Sequence, residues 1–226
     1  MDRGASIPQS ASLTVPFTQG GLIIGITGGT GCGKTTLLKL IADCGGLILD
    51  CDAIYHALLL SDTAMLAAIG ARFPGVVADG SLDRKKLGAI VFNDEKALSD
   101  LNRITHAAVR QEVLRRLETA PELVAIDAIG LFEGGLAGLC DVTVAVTAPE
   151  EARVCRLMQR DGIPEDYARS RIRAQHEDAW FRERCDYVLK NDGELAFFRA
   201  QCLAFLRTLG IMKENPYKGV ESYDHR

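Results

Sequence analysis

The stretch Gly28-Gly29-Thr30-Gly31-Cys32-Gly33-Lys34-Thr35 follows the pattern Gly, four residues, Gly-Lys-Ser/Thr, and it decides how the rest of the chain is read. Before it, Leu22 to Thr27 is an apolar, β-branched run that predicts a strand. After it, Lys34 to Ala42 carries Leu37, Leu38, Leu40 and Ile41 without a breaker, which predicts a helix. A glycine-rich turn between a strand and a helix N-terminus is a phosphate cradle. Its glycines let successive amide N–H groups point inward, and the helix end adds partial positive charge. Gly29, Thr30, Gly31, Cys32, Gly33, Lys34, Thr35 and Thr36 are therefore the expected nucleotide contacts, Cys32 through its backbone. Lys34 reaches the outer phosphates. The Thr35 hydroxyl completes the shell of a Mg²⁺ held between them, since this metal keeps most of its waters and takes few protein ligands.

The 226 residues suit one α/β domain with an insertion, or two small lobes. A net charge of −4, with both signs mixed, gives no broad footprint for nucleic acid or an anionic membrane, so phosphate-binding cations are expected to be local. The 7 cysteines are scattered and show no C-x-x-C spacing, which reads as reduced thiols in a cytoplasmic protein without disulfides or zinc. No apolar run is long enough to span a bilayer. Met1 to Gly20, rich in Ser, Thr, Gly and Pro, reads as a flexible extension, and residues 213–226 as a flexible tail.

Leu47-Ile48-Leu49 predicts a second buried strand running into Asp50-Cys51-Asp52. That is the edge where open parallel sheets bind ligands, and strand alternation places both carboxylates on one face. Capping of the next helix is the alternative reading for Asp50. From there to Pro121 the apolar periodicity is helical throughout, with one stripe of Met65, Leu66, Ile69 and Phe73 and a longer one through Leu98, Leu101, Ile104, Ala108 and Leu114 to Leu117. This helical insertion, about residues 53–120, is expected to carry substrate specificity, with Arg84 and His106 its notable polar residues. Leu123 to Ile126 is a third strand ending at Asp127, the usual place for a carboxylate that orients Mg²⁺ waters. Asp127-Ala128-Ile129-Gly130 also matches the Asp-x-x-Gly of GTP switches, although no Asn-Lys-x-Asp follows it.

Val142 to Val146 is a fourth strand, and Thr147-x-x-Glu150 forms a capping box for a helix through about Arg160. Arg153, Arg156 and Arg160 share one face of that helix. A second cluster, Arg169, Arg171 and Arg173, follows a Gly162-Ile163-Pro164 break. Beside a phosphate cradle, such an Arg-rich hairpin, about 153–178, reads as a lid over ATP with Arg156 and Arg160 as clamps. Tyr187-Val188-Leu189 is a fifth strand with a turn at Lys190-Asn191-Asp192-Gly193, and Leu195 to Leu209 a final helix.

Ile24 to Thr36, Leu-Asp-Cys-Asp (49–52), Asp-Gly-Ser-Leu-Asp-Arg-Lys-Lys-Leu-Gly (79–88) and Leu-Asn-Arg-Ile-Thr-His (101–106) resemble the dephospho-coenzyme A kinase family. So do Leu-Phe-Glu (131–133), Arg-Leu-Met-Gln-Arg-Asp (156–161), Arg-Ile-Arg-Ala-Gln (171–175) and Asn-Asp-Gly (191–193), in unbroken order over about 22–210. Departures are Ala107 where the family commonly has proline, Ile129-Gly130 in place of Pro-Leu, and Cys51 between the two aspartates.

The resemblance implies a three-layer α/β P-loop kinase fold with a five-stranded parallel sheet, a helical substrate-binding insertion and an Arg-rich lid. It implies transfer of the γ-phosphoryl group of ATP, with Mg²⁺, to the 3′-hydroxyl of dephospho-coenzyme A. Asp52 is then the group that deprotonates the acceptor, Asp50 a binder of metal waters, Asn191 a neighbour of the adenine, and Arg84 and His106 acceptor contacts. A monomer or weak homo-oligomer is expected. A different small alcohol as acceptor, such as a nucleoside, and a non-kinase nucleotide switch remain open at this point.

Overall fold

Each apolar run that precedes a turn toward one edge becomes a strand, and the first helices follow from local signals. β1 (Leu22–Thr27) leads through the glycine loop into α1 (Lys34–Asp43), and β2 (Leu47–Asp50) into α2 (Cys51–Ser61). The insertion continues with α3 (Thr63–Arg72), the two-residue strands β3 (Val77–Ala78) and β4 (Ser81–Leu82), α4 (Arg84–Val91) and α5 (Glu95–Leu117). Aspartates at 62, 83 and 94 cap α3, α4 and α5 by accepting from the amides of Met65, Lys86 and Ala97. Then come β5 (Leu123–Asp127), β6 (Val142–Thr147), α6 (Glu150–Asp161), α7 (Glu165–Arg173), α8 (Asp178–Arg184), β7 (Tyr187–Lys190) and α9 (Leu195–Thr208). The computed structural model describes residues 21–212; the expected extension over 1–20 and tail over 213–226 lie outside the described residues.

The five long strands form one parallel sheet in the order β2-β5-β1-β6-β7. Leu37 and Ile41 of α1 and Phe198, Cys202 and Leu206 of α9 cover one face of the sheet. Ile54 of α2, Val109 and Val113 of α5, and Leu131 and Leu136 cover the other. β1 sits at the centre with connections departing to both sides, so the crevice beyond its carboxyl end is the topological switch point where such sheets bind ligands. All seven cysteines are free. Among the described residues no single helix is long and apolar enough to cross a membrane; α2 and α3 are apolar together, but the chain bends 83° between them.

Three local expectations fail for physical reasons. The insertion is not helical throughout, because Asp79, at φ 50, and Gly80 close the β3–β4 hairpin. Leu98 and Leu114 are 38% and 37% exposed; the buried stripe of α5 is Ala97, Leu101, Thr105, Val109 and Val113. That stripe serves two cores, its first half packing with Phe73 and Leu87 of the insertion and its second half with the sheet. The Thr147 capping box does not form either. Pairing with Lys190 of β7 keeps Thr147 in β6, and α6 starts after Pro149 without a side-chain cap, with Glu150 and Glu151 in its first turn to favour the dipole.

At the opposite edge, aspartates fix the strand starts. Asp141 Oδ2 accepts from the Ile23 N–H at 2.8 Å, and Asp186 Oδ2 accepts from the Thr143 N–H at 2.8 Å and the Thr143 hydroxyl at 2.7 Å. Replacing Asp186 by alanine leaves a part-buried amide unpaired, and is expected to lower unfolding free energy by about 1–3 kcal/mol. The check is urea denaturation, read as a lower midpoint at unchanged slope. An unchanged midpoint contradicts this role.

Candidate active site

The loop between β1 and α1 is held from outside by its carbonyl oxygens. Lys34 Nζ donates to Gly28 O at 2.9 Å, Arg153 Nε to Thr30 O at 2.9 Å, and Arg156 Nη1 to Gly31 O at 3.1 Å and Cys32 O at 3.3 Å. Asn191 Nδ2 donates to Cys32 O at 2.8 Å. In a planar trans peptide the N–H lies opposite the carbonyl, so the amides that follow Thr30 and Cys32 are turned the other way. Glycine is required at two points of this path. Gly28 has φ 129 and a Cβ there would collide with the Val146 carbonyl; Gly33 has φ 99 and a Cβ there would collide with the Asn191 amide.

Gly29 to Thr35 line a cavity of about 540 Å³, with Asp50, Asp52 and Asp127 on its other wall; Thr36 lies outside it. Asp50 and Asp127 are register partners at the carboxyl ends of β2 and β5. The two acidic residues after β2 do not share a strand face as expected, because helix α2 begins at Cys51. Asp50 caps that helix, accepting from the Ala53 N–H at 2.9 Å, and Asp52 stands in its first turn. Both still face the cavity, since the helix starts at its rim. Asp127 is the least exposed of the three. Its Oδ1 is buried without a hydrogen-bond partner, and Lys34 Nζ is 4.0 Å away. Burial raises its pKa to about 6; Lys34 opposes this, while Asp50 and Asp52 add to it.

Among the described residues no cluster of three or more His, Cys, Asp or Glu is arranged to hold a metal ion by itself. A lone hydroxyl, an orphaned carboxylate oxygen and two flanking acids suit a hydrated hard cation shared with a phosphate ligand.

The arginines divide by depth. Arg153, expected on one face with Arg156 and Arg160, is instead 6% exposed and packed behind the loop, where its Nη2 also donates to Gln175 Oε1 at 3.0 Å. Arg156, Arg160 and Arg171 line the cavity, together with Gln159. Asp161 joins two of them. It accepts from Arg160 Nε at 2.7 Å and Nη2 at 3.0 Å, and from Arg171 Nη1 at 2.7 Å, and the Arg160 hydrogen bonds are the main reason its pKa falls to about 2. A guanidinium has five N–H groups, so both arginines keep donors free for an anion while bound to Asp161. Val154, Leu157, Ala168 and Ile172 give α6 and α7 a small core of their own.

A second cavity, about 250 Å³, adjoins the first and shares Asp52 and Ile129 with it. Its walls are mainly apolar, from Tyr55, Val109 and Leu136, with Asn102, Thr105 and His106 as polar points. His106, expected as an acceptor contact, lines this second cavity. Arg84 does not line either cavity; it begins α4, and its charge offsets part of the burial that raises the Tyr55 phenol pKa. Asn191 is 5% exposed and sits behind the loop, outside the cavity walls. Sequence reasoning missed Asn102, one turn before His106 on α5 and findable from that spacing. It did not give Arg153 or Gln175 its place against the phosphate loop, which depends on a contact across more than a hundred residues.

Comparison with known proteins adds to this geometry. The sequence profile described as dephospho-CoA kinase matches residues 22–196. Dephospho-CoA kinases from Moorella thermoacetica and Corynebacterium diphtheriae are 40% and 38% identical over 189 and 177 residues, covering 80% and 76% of this chain and 89% and 88% of theirs. The crystal structure of a Thermus thermophilus protein, 34% identical, superposes with a TM-score of 0.71 and covers 84% of this chain and 99% of its own. Dephospho-CoA kinase from Campylobacter jejuni, 26% identical, gives 0.58 over 84% of this chain and 98% of its own. With a phosphate loop, an acid-walled cavity and a profile match across most of its length, this chain belongs to the dephospho-CoA kinase family.

Proposed function

We propose that the chain transfers the γ-phosphoryl group of ATP to the 3′-hydroxyl of the ribose of dephospho-coenzyme A, the final step of coenzyme A biosynthesis. The observation that carries this reading is the position of Asp52, an exposed carboxylate in the wall of both cavities. The larger cavity has the donors for a triphosphate, and the smaller has room for a purine-sized group with a few polar points beside apolar walls. A hydroxyl at their junction meets Asp52 on one side and the transferring phosphoryl on the other.

Phosphoryl transfer through a loose transition state asks for alignment and for charge on the equatorial oxygens. Asp52 orients the 3′-hydroxyl and takes its proton. Lys34 follows the migrating charge, and Arg156, Arg160 and Arg171 close on the outer phosphates and exclude water. Thr35, Asp127 and Asp50 are the residues that would hold a Mg²⁺ brought with ATP, which would supply neutralisation of phosphate charge. The turn at Asn191 flanks the adenine of ATP, its side chain fixing Cys32. His106 and Asn102 contact the acceptor, with Arg84 further out on the insertion. In this reading residues 21–212 form the kinase domain, with an acceptor insertion over about 53–120 and a lid over about 153–178. Seven free thiols suit a reducing cytoplasm.

Asp52→Asn is expected to slow transfer by about 10²–10⁴-fold with ATP affinity little changed, the size of a general-base contribution. Single-turnover kinetics with a separate binding measurement read the two quantities, and normal transfer in this variant contradicts the assignment. Lys34→Ala should lower both ATP affinity and transfer by at least tenfold in the same pair of measurements; wild-type values for both would remove it from the phosphate site.

Asp127 gives a prediction in pH. Its carboxyl is protonated up to about pH 6 in the folded chain but only to about 3.9 when unfolded. Between those values the folded state holds the extra proton, so this residue makes stability fall as pH rises. Asp127→Asn removes that slope. The ligand-free variant is expected to match wild type near pH 4 and to exceed it by about 1–3 kcal/mol at pH 7. Chemical denaturation across that range tests it, and a variant less stable than wild type at pH 7 refutes it.

A further inference from the structure

Two consecutive residues in the link between α7 and α8 touch opposite halves of the site. Gln175 Oε1 accepts from the Thr30 N–H at 2.8 Å and from Arg153 Nη2 at 3.0 Å, so it fixes the rim of the phosphate loop. The next residue faces the acceptor side. His176 Nε2 is 2.6 Å from Glu133 Oε1, and its ring stacks on Trp180 with centroids 3.9 Å apart and planes within 3°. Trp180 in turn meets Phe132 edge-on at 5.5 Å.

Glu133 is also next to the acceptor cavity. It lines a shallow groove with His106 and Asn102, and both of those residues line the 250 Å³ cavity as well. A Cβ on Gly130 would lie 3.8 Å from both Glu133 Oε2 and His106 Nε2, so the two side chains flank one point of the loop after β5. Hydrogen bonds and the chain itself therefore connect Thr30 through Gln175 and His176 to Glu133, which borders the same loop and groove as His106.

We propose that Gln175 and His176 are positioning residues that tie the phosphate loop to acceptor occupancy. An acceptor seated against His106 and the loop from Gly130 to Glu133 restrains Glu133. Glu133 then restrains His176, and Gln175 holds Thr30 in place for ATP. An isolated exposed ion pair does little, because holding two flexible side chains together costs entropy. Here the imidazole is already held flat against Trp180, and the residue before it is anchored on the loop, so the hydrogen bond orders few additional rotamers. Linkage then requires ATP and acceptor to raise each other's affinity by one common factor. The inference rests on the acceptor assignment made under the proposed function.

The test uses the whole chain with Mg²⁺ and a non-hydrolysable ATP analogue, titrated calorimetrically with and without saturating dephospho-coenzyme A. For the wild type the analogue is expected to bind about three- to tenfold more tightly with the acceptor present. In His176→Ala and in Glu133→Gln that factor should fall below about twofold, while binding of the analogue alone stays within about twofold of wild type. In steady state, KM for ATP at saturating acceptor should rise about three- to tenfold in His176→Ala with kcat little changed, a split that a general loss of folding does not produce. Wild-type coupling retained by both variants, or no coupling in the wild type, overturns the proposal. If dephospho-coenzyme A neither binds nor is phosphorylated, the acceptor assignment fails and takes this inference with it. Turnover with unaltered coupling sinks this inference alone.

Discussion

The constraint on which the site depends is that carbonyl oxygens of the phosphate loop are captured from outside. A loop of glycines can point its peptides either way, and only an outward carbonyl leaves the following amide free to face a phosphate. Arg153, Arg156 and Asn191, from 123 to 159 residues further along the chain than the carbonyls they hold, supply those outside donors, and Lys34 adds one from the start of α1. The central placement of β1, with β6 and β7 on one side, brings α6 and the turn after β7 against the loop. Sheet order and phosphate chemistry are thus one problem, because the order of strands decides which donors reach the loop.

Charge balance extends the same logic to the opposite wall. Lys34 faces three carboxylates across the cavity, and the one it lies nearest, Asp127, is buried with an oxygen left unpaired. Such an oxygen lowers the stability of the ligand-free chain, and a hydrated cation is the kind of ligand it would accept under the proposed function. Asp161 plays the complementary part at the end of α6. It keeps two arginines gathered at the cavity rim, where like charges would otherwise push them apart, and leaves donors on each.

The sheet was legible in the sequence because buried parallel strands are short apolar runs ended by turn residues, and all five runs became strands. The glycine loop and the placing of Asp52 and His106 in cavity walls were legible for a similar reason: residues at strand ends and on one helix leave a local pattern. Competition between local and long-range preferences was not legible. Thr147 had the sequence of a helix cap but paired with β7, and Leu98 and Leu114 fitted a helical stripe that α5 turned partly to solvent to serve two cores. Arg153 shows the limit most plainly. Its spacing puts it with the surface arginines of α6, and its packing behind the loop, with hydrogen bonds to Thr30 and Gln175, buries it.

Release of ADP from ATP and Mg²⁺, followed with and without dephospho-coenzyme A and joined to analysis of where the phosphate lands, bears most directly on the account. A cradle facing Asp52 across two adjoining cavities predicts slow release with ATP alone, rapid release when the acceptor is added, and one new phosphate on the ribose 3′-hydroxyl. Release that ignores the acceptor, or a phosphate at any other position, contradicts it.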